Sequence, residues 1–287
     1  MAVGQMIPIL FTKSDELQRW RSTLQPNSSV ALVPTMGALH AGHERLMQVA
    51  RSLADTVIAS IFVNPLQFGD KNDLEKYPRT LDTDVDICRR QGVDAIFAPG
   101  LNEMYPDKNI QMISAGRVGH LYEGEHRPGH FDGVLTVVDR LFSLISPNLA
   151  VFGEKDFQQL LLIRQMSAER HPHLRIVNVP TVRDPDGLAI SSRNSQLSGS
   201  DRLTATKLFE ALQIVQRHFQ SGTIDARRLE SYGRDFLNQF TQISLDYLVC
   251  VAAPHLNPID VVESPSVILL AATIGGVRLI DNILLHP

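Results

Sequence analysis

The sequence has 287 residues, a formal net charge of −4 at pH 7 and two cysteines. Its apolar content of 44% and charged content of 20% are those of an ordinary globular protein, with enough chain to bury one large α/β domain or two smaller ones. The negative charge balance excludes the broad electrostatic attraction on which nucleic-acid and anionic-membrane binding depend, so we expect a small-molecule ligand.

The N-terminal end is predicted to carry no targeting segment. No basic residue precedes Lys13, and the apolar stretch from Met6 to Phe11 is short and contains Pro8. We therefore predict neither a signal peptide nor a membrane span. Cys88 falls in a predicted helix and Cys250 in a predicted strand, with no spacing that suggests a disulfide or a metal site. Both are predicted to be inert packing residues of a cytoplasmic protein.

Apolar strands alternate with helical patterns between residue 29 and about residue 180. The run from Ser29 to Val33 leads into an amphipathic helix whose apolar stripe includes Leu46 and Ala50. Residues 57–63 are almost continuously apolar, as expected for a strand covered on both faces. A helix, a strand and a second helix are predicted over residues 131–145, 149–152 and 157–166. Repeated β-α-β units predict a Rossmann-like, doubly wound parallel sheet with its ligand crevice at the carboxyl ends of the strands.

A cluster of turn-forming residues, from Arg183 to Gly187, interrupts this alternation. Two more helical stripes and two strands are predicted beyond it, over residues 208–219, 229–240, 243–252 and 267–272. We therefore place a domain boundary at the cluster. The α/β domain comprises residues 1–183, and a smaller α+β domain comprises residues 184–287.

The turn between the first strand and its helix is the most informative stretch of the chain. His40 and His43 stand at the helix N-terminus, where unpaired amides and the positive end of the helix dipole attract anions. Gly37 and Gly42 fit this interpretation, because a residue without a Cβ lets the backbone approach a phosphate or adopt a positive φ. A zinc-binding His-Glu-x-x-His pattern is excluded by Met47, which occupies the place of its second histidine. The turn therefore predicts a nucleotide phosphate site.

Two later clusters also suit phosphate. Residues 152–159 cross from a strand end into a helix, so that Lys155 can neutralise phosphate charge and Asp156 can cap the helix, while Gln159 offers both a donor and an acceptor. Residues 190–193 follow the turn cluster and combine two hydroxyls with a planar cation. Each cluster alone also fits a solvated turn or a capped helix start, and that alternative stays open.

A fourth segment follows the apolar run at residues 57–63. Asn64 and Gln67 lie there between Phe62 and Phe68, and this mixture of amides and aromatic rings suits a small, hydroxylated and partly apolar ligand. The two amides equally suit turn residues, so the segment does not by itself decide between a substrate site and a structural turn.

Together, six segments in unbroken order resemble the pantothenate synthetase (pantoate-beta-alanine ligase) family, part of the nucleotidyltransferase-like superfamily with a His-x-Gly-His motif. The segments, which span most of the first 195 residues, are Pro34 to His43, Phe62 to Gly69, Tyr77 to Thr80, Glu123 to Val134, Phe152 to Gln159 and Ile190 to Asn194. The resemblance implies that residues 1–183 bind nucleotide and pantoate and that residues 184–287 act as a lid. We expect residues 184–194 to move with that lid.

The reaction implied by this resemblance is the ATP-dependent ligation of pantoate to β-alanine. ATP and pantoate give pantoyl adenylate and pyrophosphate, and the amine of β-alanine then attacks the activated acyl group to give pantothenate and AMP. Fixed donors and Mg²⁺ aimed at the α-phosphate would stabilise the charge that develops there. The resemblance also implies a homodimer, while the negative charge balance and the absence of a predicted membrane span lead us to expect no nucleic-acid or membrane partner.

The resemblance carries roles to individual residues. The predicted catalytic residues are His40, His43, Lys155 and Arg193, with His43 as the proposed acid. The predicted nucleotide-binding residues are Met36, Gly37, Ala38, Leu39, His40, Ala41, Gly42, His43, Gly153, Glu154, Lys155, Asp156, Val182, Ile190, Ser191, Ser192 and Arg193. The predicted substrate-binding residues are Asn64, Gln67, Arg127, His130 and Gln159. Asp84 matches a carboxylate on the metal side.

Two other functions remain open at this stage. A nucleotidyltransferase acting on a phosphorylated alcohol would use the same histidine turn and the same serine- and arginine-bearing loop, but would leave the nucleotide attached to its product. A regulatory module would bind ATP without releasing pyrophosphate. Formation of AMP that depends on an added amine distinguishes the ligase from both.

Overall fold

The computed structural model describes residues 7–107 and 109–287, so the first residue of the apolar stretch from Met6 to Phe11 lies outside the described part. The chain divides into two compact units. Unit 1 comprises Met1–Glu154 and Leu162–Pro180, and unit 2 comprises Lys155–Leu161 and Thr181–Pro287. The main division thus falls after Pro180, close to the turn cluster, while a short segment that begins at Lys155 groups with the C-terminal part of the chain.

Unit 1 is built on a six-stranded parallel sheet. Its strands are β1 (Ile9–Phe11), β2 (Val30–Thr35), β3 (Thr56–Ile61), β4 (Ala95–Phe97), β5 (Leu149–Gly153) and β6 (Arg175–Val179). They lie in the order β1-β4-β3-β2-β5-β6, and every neighbouring pair is parallel. The direction of winding reverses between β2 and β5, which confirms the predicted doubly wound sheet and places its crevice at their carboxyl ends.

Helices connect these strands. They are α1 (Ser14–Ser22), α2 (Ala41–Leu53), α3 (Lys71–Lys76), α4 (Leu81–Arg90), α5 (Leu101–Met104), α6 (Glu123–His126), α7 (His130–Ile145) and α8 (Phe157–Arg170). The central strands β2 and β3 are buried except at their carboxyl ends, in agreement with the continuous apolar run at residues 57–63. Met47 and Ala50 of α2 and Ile87 of α4 pack in one core cluster with these strands.

Unit 2 combines helices with an antiparallel sheet. Its elements are α9 (Gly199–Gln220), α10 (Ala226–Leu237), β7 (Ile243–Ala252), β8 (Ser266–Ile274) and β9 (Val277–Leu285), and the strand order is β7-β8-β9. The α+β composition and the first four elements were predicted. The sequence pattern missed β9 because two polar residues, Asp281 and Asn282, interrupt its apolar alternation, although both are buried.

The two cysteines occupy buried positions in regular elements, as predicted. Cys88 lies in α4 and Cys250 in β7, and neither forms a disulfide. Burial raises the pKa of each thiol to about 12, so the reactive thiolate is scarce at neutral pH. No helix in the described ranges is long and apolar enough to cross a membrane.

Candidate active site

Three neighbouring strands of unit 1 end at the same edge of the sheet. β3, β2 and β5 are adjacent and parallel, so their carboxyl ends face the same way. Among the predicted site residues, Met36 to His43 follow β2, Asn64 and Gln67 follow β3, and Glu154 follows β5. The fold therefore gathers three of the chemistry-bearing segments of unit 1 at the topological switch point.

The two histidines of the first turn cap α2 reciprocally. His40 is the N-cap residue, and its Nδ1 accepts a hydrogen bond from the backbone N of Gly42 at 3.2 Å. Nδ1 of His43, the third helical residue, accepts from the backbone N of His40 at 3.4 Å. The ring centroids are 4.1 Å apart. This is a capping box in which imidazoles take the places usually held by a hydroxyl and a carboxylate.

The capping bonds determine which ring nitrogen carries the proton. A ring nitrogen that accepts a hydrogen bond is unprotonated, so each neutral imidazole has its proton on Nε2. Both rings therefore offer an Nε2–H donor. Gly42 makes this arrangement possible, because a Cβ at that position would lie 2.9 Å from Cε1 of His40. The spacing of the motif thus has a packing reason besides the predicted close approach of phosphate.

A buried carboxylate holds the turn that precedes His40. Asp84 of α4 is 1% exposed and accepts hydrogen bonds from the backbone N of Ala38 at 3.1 Å and of Leu39 at 2.8 Å. The Thr80 hydroxyl donates to the same carboxylate at 3.2 Å. Gly37 and Ala38 have φ values of 83° and 51°, so two successive residues lie in the left-handed region. Asp84 is therefore the group that stabilises a strained turn.

These hydrogen bonds compete with the predicted metal role of Asp84. Its Oδ2 accepts from Ala38 and Thr80 and its Oδ1 from Leu39, which leaves little of the coordinating capacity of a carboxylate. Within residues 7–107 and 109–287, no group of three or more His, Cys, Asp or Glu side chains is arranged to hold a metal ion.

The segment after β3 is fixed by a fully buried amide. Asn64 is 0% exposed, and its Oδ1 accepts from the Tyr105 hydroxyl at 2.9 Å and the backbone N of Leu66 at 3.3 Å. Its Nδ2 donates to the backbone O of Gly133 at 3.0 Å and to Oε1 of Gln67 at 3.1 Å. Because burial raises the pKa of Tyr105, its hydroxyl stays protonated and fixes the orientation of the Asn64 amide.

Both ends of the Gln67 side-chain amide make hydrogen bonds within the protein. Its Oε1 is occupied by Asn64, and its Nε2 lies 3.0 Å from Sδ of Met36, in the turn that carries the histidines. His130 Nδ1 lies 2.9 Å from the backbone O of Gln67, and Arg127 Nη1 lies 3.0 Å from His130 Nε2. The predicted substrate residues of unit 1 therefore form one connected network.

The remaining predicted residues lie in unit 2. They are Lys155, Asp156, Gln159, Val182, Ile190, Ser191, Ser192 and Arg193. The backbone N of Ile190 donates to Val182 O at 3.0 Å, and Ser191 Oγ accepts from the backbone N of Arg193 at 3.3 Å, capping a 3₁₀ turn. Lys155, Ser191 and Arg193 line one pocket of unit 2, together with Arg278 and Asp281.

Sequence reasoning did not single out Tyr105, Arg278 or Asp281. Tyr105 stands alone before a proline and carries no motif, and its partner Asn64 is distant in sequence. Arg278 and Asp281 lie on β9, the strand that the pattern missed. The available signal was Asp281, a charged residue among apolar residues. A charged residue is buried only when it is paired, so this position predicts a partner elsewhere in the fold.

Comparisons with known proteins agree on one family. The model of the pantoate-beta-alanine ligase family matches residues 9–284. A pantothenate synthetase of Aquifex aeolicus is 42% identical over 96% of this chain and 98% of its own length. The crystal structure of pantothenate synthetase from Thermus thermophilus superposes with a TM-score of 0.91 at 41% identity, covering 97% of this chain and 100% of that one.

A third relative was solved with ligands. The pantoate-beta-alanine ligase of Francisella tularensis, complexed with beta-gamma ATP and β-alanine, superposes with a TM-score of 0.80 at 36% identity. The match covers 96% of this chain and 97% of that one.

Proposed function

Because this chain belongs to the pantoate-beta-alanine ligase family, we propose that it forms pantothenate in two steps, through a pantoyl adenylate. The enzyme is a ligase that joins pantoate to β-alanine by a C–N bond. Family membership decides against the nucleotidyltransferase and the regulatory module. The complexed relative from Francisella tularensis supports ATP and β-alanine as ligands of this chain.

In the first step, a carboxylate oxygen of pantoate attacks the α-phosphorus of ATP. The bond from that phosphorus to the bridging oxygen breaks, and pyrophosphate leaves with the electron pair. Negative charge grows on the nonbridging oxygens, where preorganised donors lower the barrier. His40 and His43 supply Nε2–H donors beside the first-turn amides of α2. This reciprocal cap is the observation that carries the proposal.

The distal phosphates are assigned to residues of unit 2. Lys155 and Arg193 provide positive charge, and Ser191 provides a hydroxyl in the same pocket. An arginine binds phosphate oxygens through paired hydrogen bonds, and a lysine acts as a point charge. These cations balance the negative charge of pyrophosphate as it leaves.

Pantoate is assigned to the network that follows β3. The Gln67 amide, oriented by Asn64 and Met36, keeps a second N–H and a second lone pair, and these match the carboxylate and hydroxyl groups of pantoate. Gln159, in the first turn of α8, is assigned to the same substrate by the family resemblance. Arg127 and His130 support this network through the backbone O of Gln67.

In the second step, the amine of β-alanine attacks the acyl carbon of the adenylate. A C–N bond forms, the bond from the acyl carbon to the phosphate oxygen breaks, and AMP leaves. The amine must lose a proton during this step, and we assign no residue of the chain to accept it. The donors that stabilised the α-phosphate in the first step also stabilise AMP as the leaving group.

Magnesium is proposed to enter as the ATP complex, held mainly by phosphate oxygens and water, as is usual for this ion. When bound, it neutralises phosphate charge. The described residues contain no dedicated cluster for it, and the carboxylate of Asp84 is already engaged with backbone amides. No step is therefore assigned to a protein-bound metal.

The decisive experiment is an assay with ATP, Mg²⁺, pantoate and β-alanine in which each component is omitted in turn. Without β-alanine, we expect one turnover of pyrophosphate release and little AMP. Without pantoate, neither product should form. Amine-independent transfer of AMP to a stable product would contradict the ligase mechanism.

We predict that Gln67→Ala and Gln159→Ala raise the KM for pantoate at least about 10-fold while changing the KM for ATP by less than twofold. Each substitution leaves a polar group of bound pantoate without its partner, which costs about 1–3 kcal/mol. Initial rates against each substrate measure both constants. Gln220→Ala, at an exposed position at the end of α9, is the matched control. Loss of ATP affinity with unchanged pantoate affinity would contradict the assignment.

Three expectations from the sequence analysis remain predictions for this chain. These are the homodimer, the cytoplasmic location and the role of residues 184–287 as a lid. Sedimentation tests the first and cell fractionation the second. The third is tested by hydrogen exchange through residues 184–194, with and without ATP and pantoate. Slower exchange when both are bound would support the lid.

A further inference from the structure

Strand β9 carries a buried polar pair to which the reaction assigns no role. Asp281 is 5% exposed and Asn282 is 7% exposed. Buried polar groups in proteins almost always have hydrogen-bond partners. The Nδ2 of Asn282 donates to the backbone O of Lys155 at 2.9 Å. Lys155–Leu161 groups with unit 2 although it precedes the rest of that unit in sequence, and this bond ties its first residue to β9.

The Asp281 carboxylate accepts hydrogen bonds from both terminal nitrogens of Arg183. Arg183 Nη1 lies 2.6 Å from Oδ2 and Nη2 lies 2.8 Å from Oδ1, in a pair whose side chains are 17% and 3% exposed. The same guanidinium donates to Gly187 O at 3.2 Å and lies 3.8 Å from the centre of the Phe209 ring. The backbone N of Asn282 donates to Oδ1 of Asp281 at 2.8 Å. The buried carboxylate is thus paired and held in one orientation.

The pair therefore connects both segments that are assigned to the distal phosphates. Asn282 holds the backbone of Lys155 directly. Asp281 holds Arg183, at the start of the turn that leads into the loop of Ser191 and Arg193. Asp281 also lines the pocket that Lys155, Ser191 and Arg193 share.

We propose that Asp281 and Asn282 are positioning residues of the ligase, which hold Lys155 and the Ser191–Arg193 loop in the geometry that binds the phosphates of ATP. If these groups are already fixed before ATP binds, less conformational entropy is lost on binding. The inference rests on the proposed phosphate role of Lys155.

The test removes the hydrogen-bond donor of the Asn282 side chain. Asn282→Asp removes the N–H donors and keeps the side-chain volume, and Asn282→Ser is a second, uncharged variant. Both are expected to raise the KM for ATP about 10-fold to 100-fold, with a KM for pantoate within twofold of wild type. Glu230→Ala is the matched structural control, because Glu230 likewise bonds a backbone group of unit 2, the N of Cys250 at 2.8 Å. It should lower the melting temperature and leave both KM values unchanged.

A double-mutant cycle separates positioning from general stability. In Lys155→Ala, the KM for ATP should rise, and adding Asn282→Asp should raise it little further, because the positioned side chain is already absent. If the effects of Lys155→Ala and Asn282→Asp on the KM for ATP are additive, or if the Asn282 variants behave like Glu230→Ala, the inference is wrong. The phosphate role of Lys155 would then still stand. An unchanged KM for ATP in Lys155→Ala would instead refute the phosphate role of Lys155, and the inference with it.

Discussion

Replacing His40 or His43 by alanine is expected to slow pantoyl adenylate formation by about 10²-fold or more. Each substitution removes one Nε2–H donor from the place where charge grows on the α-phosphate. Single donors of this kind are typically worth a few kcal/mol in the transition state. The rate of pyrophosphate release with ATP and pantoate, before β-alanine is added, measures this step directly.

The same histidines also cap α2, so activity and stability must be separated. Loss of an N-cap bond costs about 1 kcal/mol of stability, and an alanine at residue 40 would show both effects. His40→Asn is the matched control, because an asparagine oxygen can accept the hydrogen bond from Gly42 N that the His40 ring now accepts. We expect this variant to retain the wild-type melting temperature and to lose as much activity as His40→Ala. A folded His40→Asn with near-normal adenylate formation would contradict the donor role.

The sequence was sufficient for features that depend on local order. The continuous apolar run at residues 57–63 identified a strand buried on both faces, and the structure has β3 there. The apolar spacing after His43 identified α2, and the polar residues before it marked its start. These signals are short-range, because strand burial and helix capping depend on neighbours within a few positions.

The sequence was not sufficient for features that depend on partners far along the chain. Tyr105 orients Asn64 across 41 positions, and Asn282 holds Lys155 across 127 positions. Neither residue belongs to a repeating pattern. Gly42 was predicted to let the backbone approach phosphate. That a Cβ at this position would meet the His40 ring follows only from the position of that ring in the fold. Such contacts are set by tertiary packing, on which single-sequence periodicity gives no information.

Substituting Asp84 is expected to have an effect as large as substituting the histidines, although no ligand contact need be lost. Asp84→Ala leaves the partly buried amide of Ala38 and the buried amide of Leu39 without their acceptor. A hydrogen bond to a charged group contributes about 1.5–3 kcal/mol. The turn would then lose the contacts that maintain its two left-handed residues, and His40, which follows directly, would lose its position. We expect a lower melting temperature and a fall in adenylate formation of at least about 10²-fold.

Two variants distinguish a structural role of Asp84 from a metal-binding role. Asp82→Ala, at an exposed position in the first turn of the same helix, is the control and should behave as wild type. Asp84→Asn keeps the volume but offers one acceptor oxygen instead of two, so it should lower the melting temperature even without nucleotide. If Asp84 acts mainly as a metal-side carboxylate, Asp84→Asn will instead keep the wild-type melting temperature and need more Mg²⁺ for half-maximal activity. The hydrogen bonds of Asp84 lead us to expect the first outcome, because three donors from the protein already surround its carboxylate.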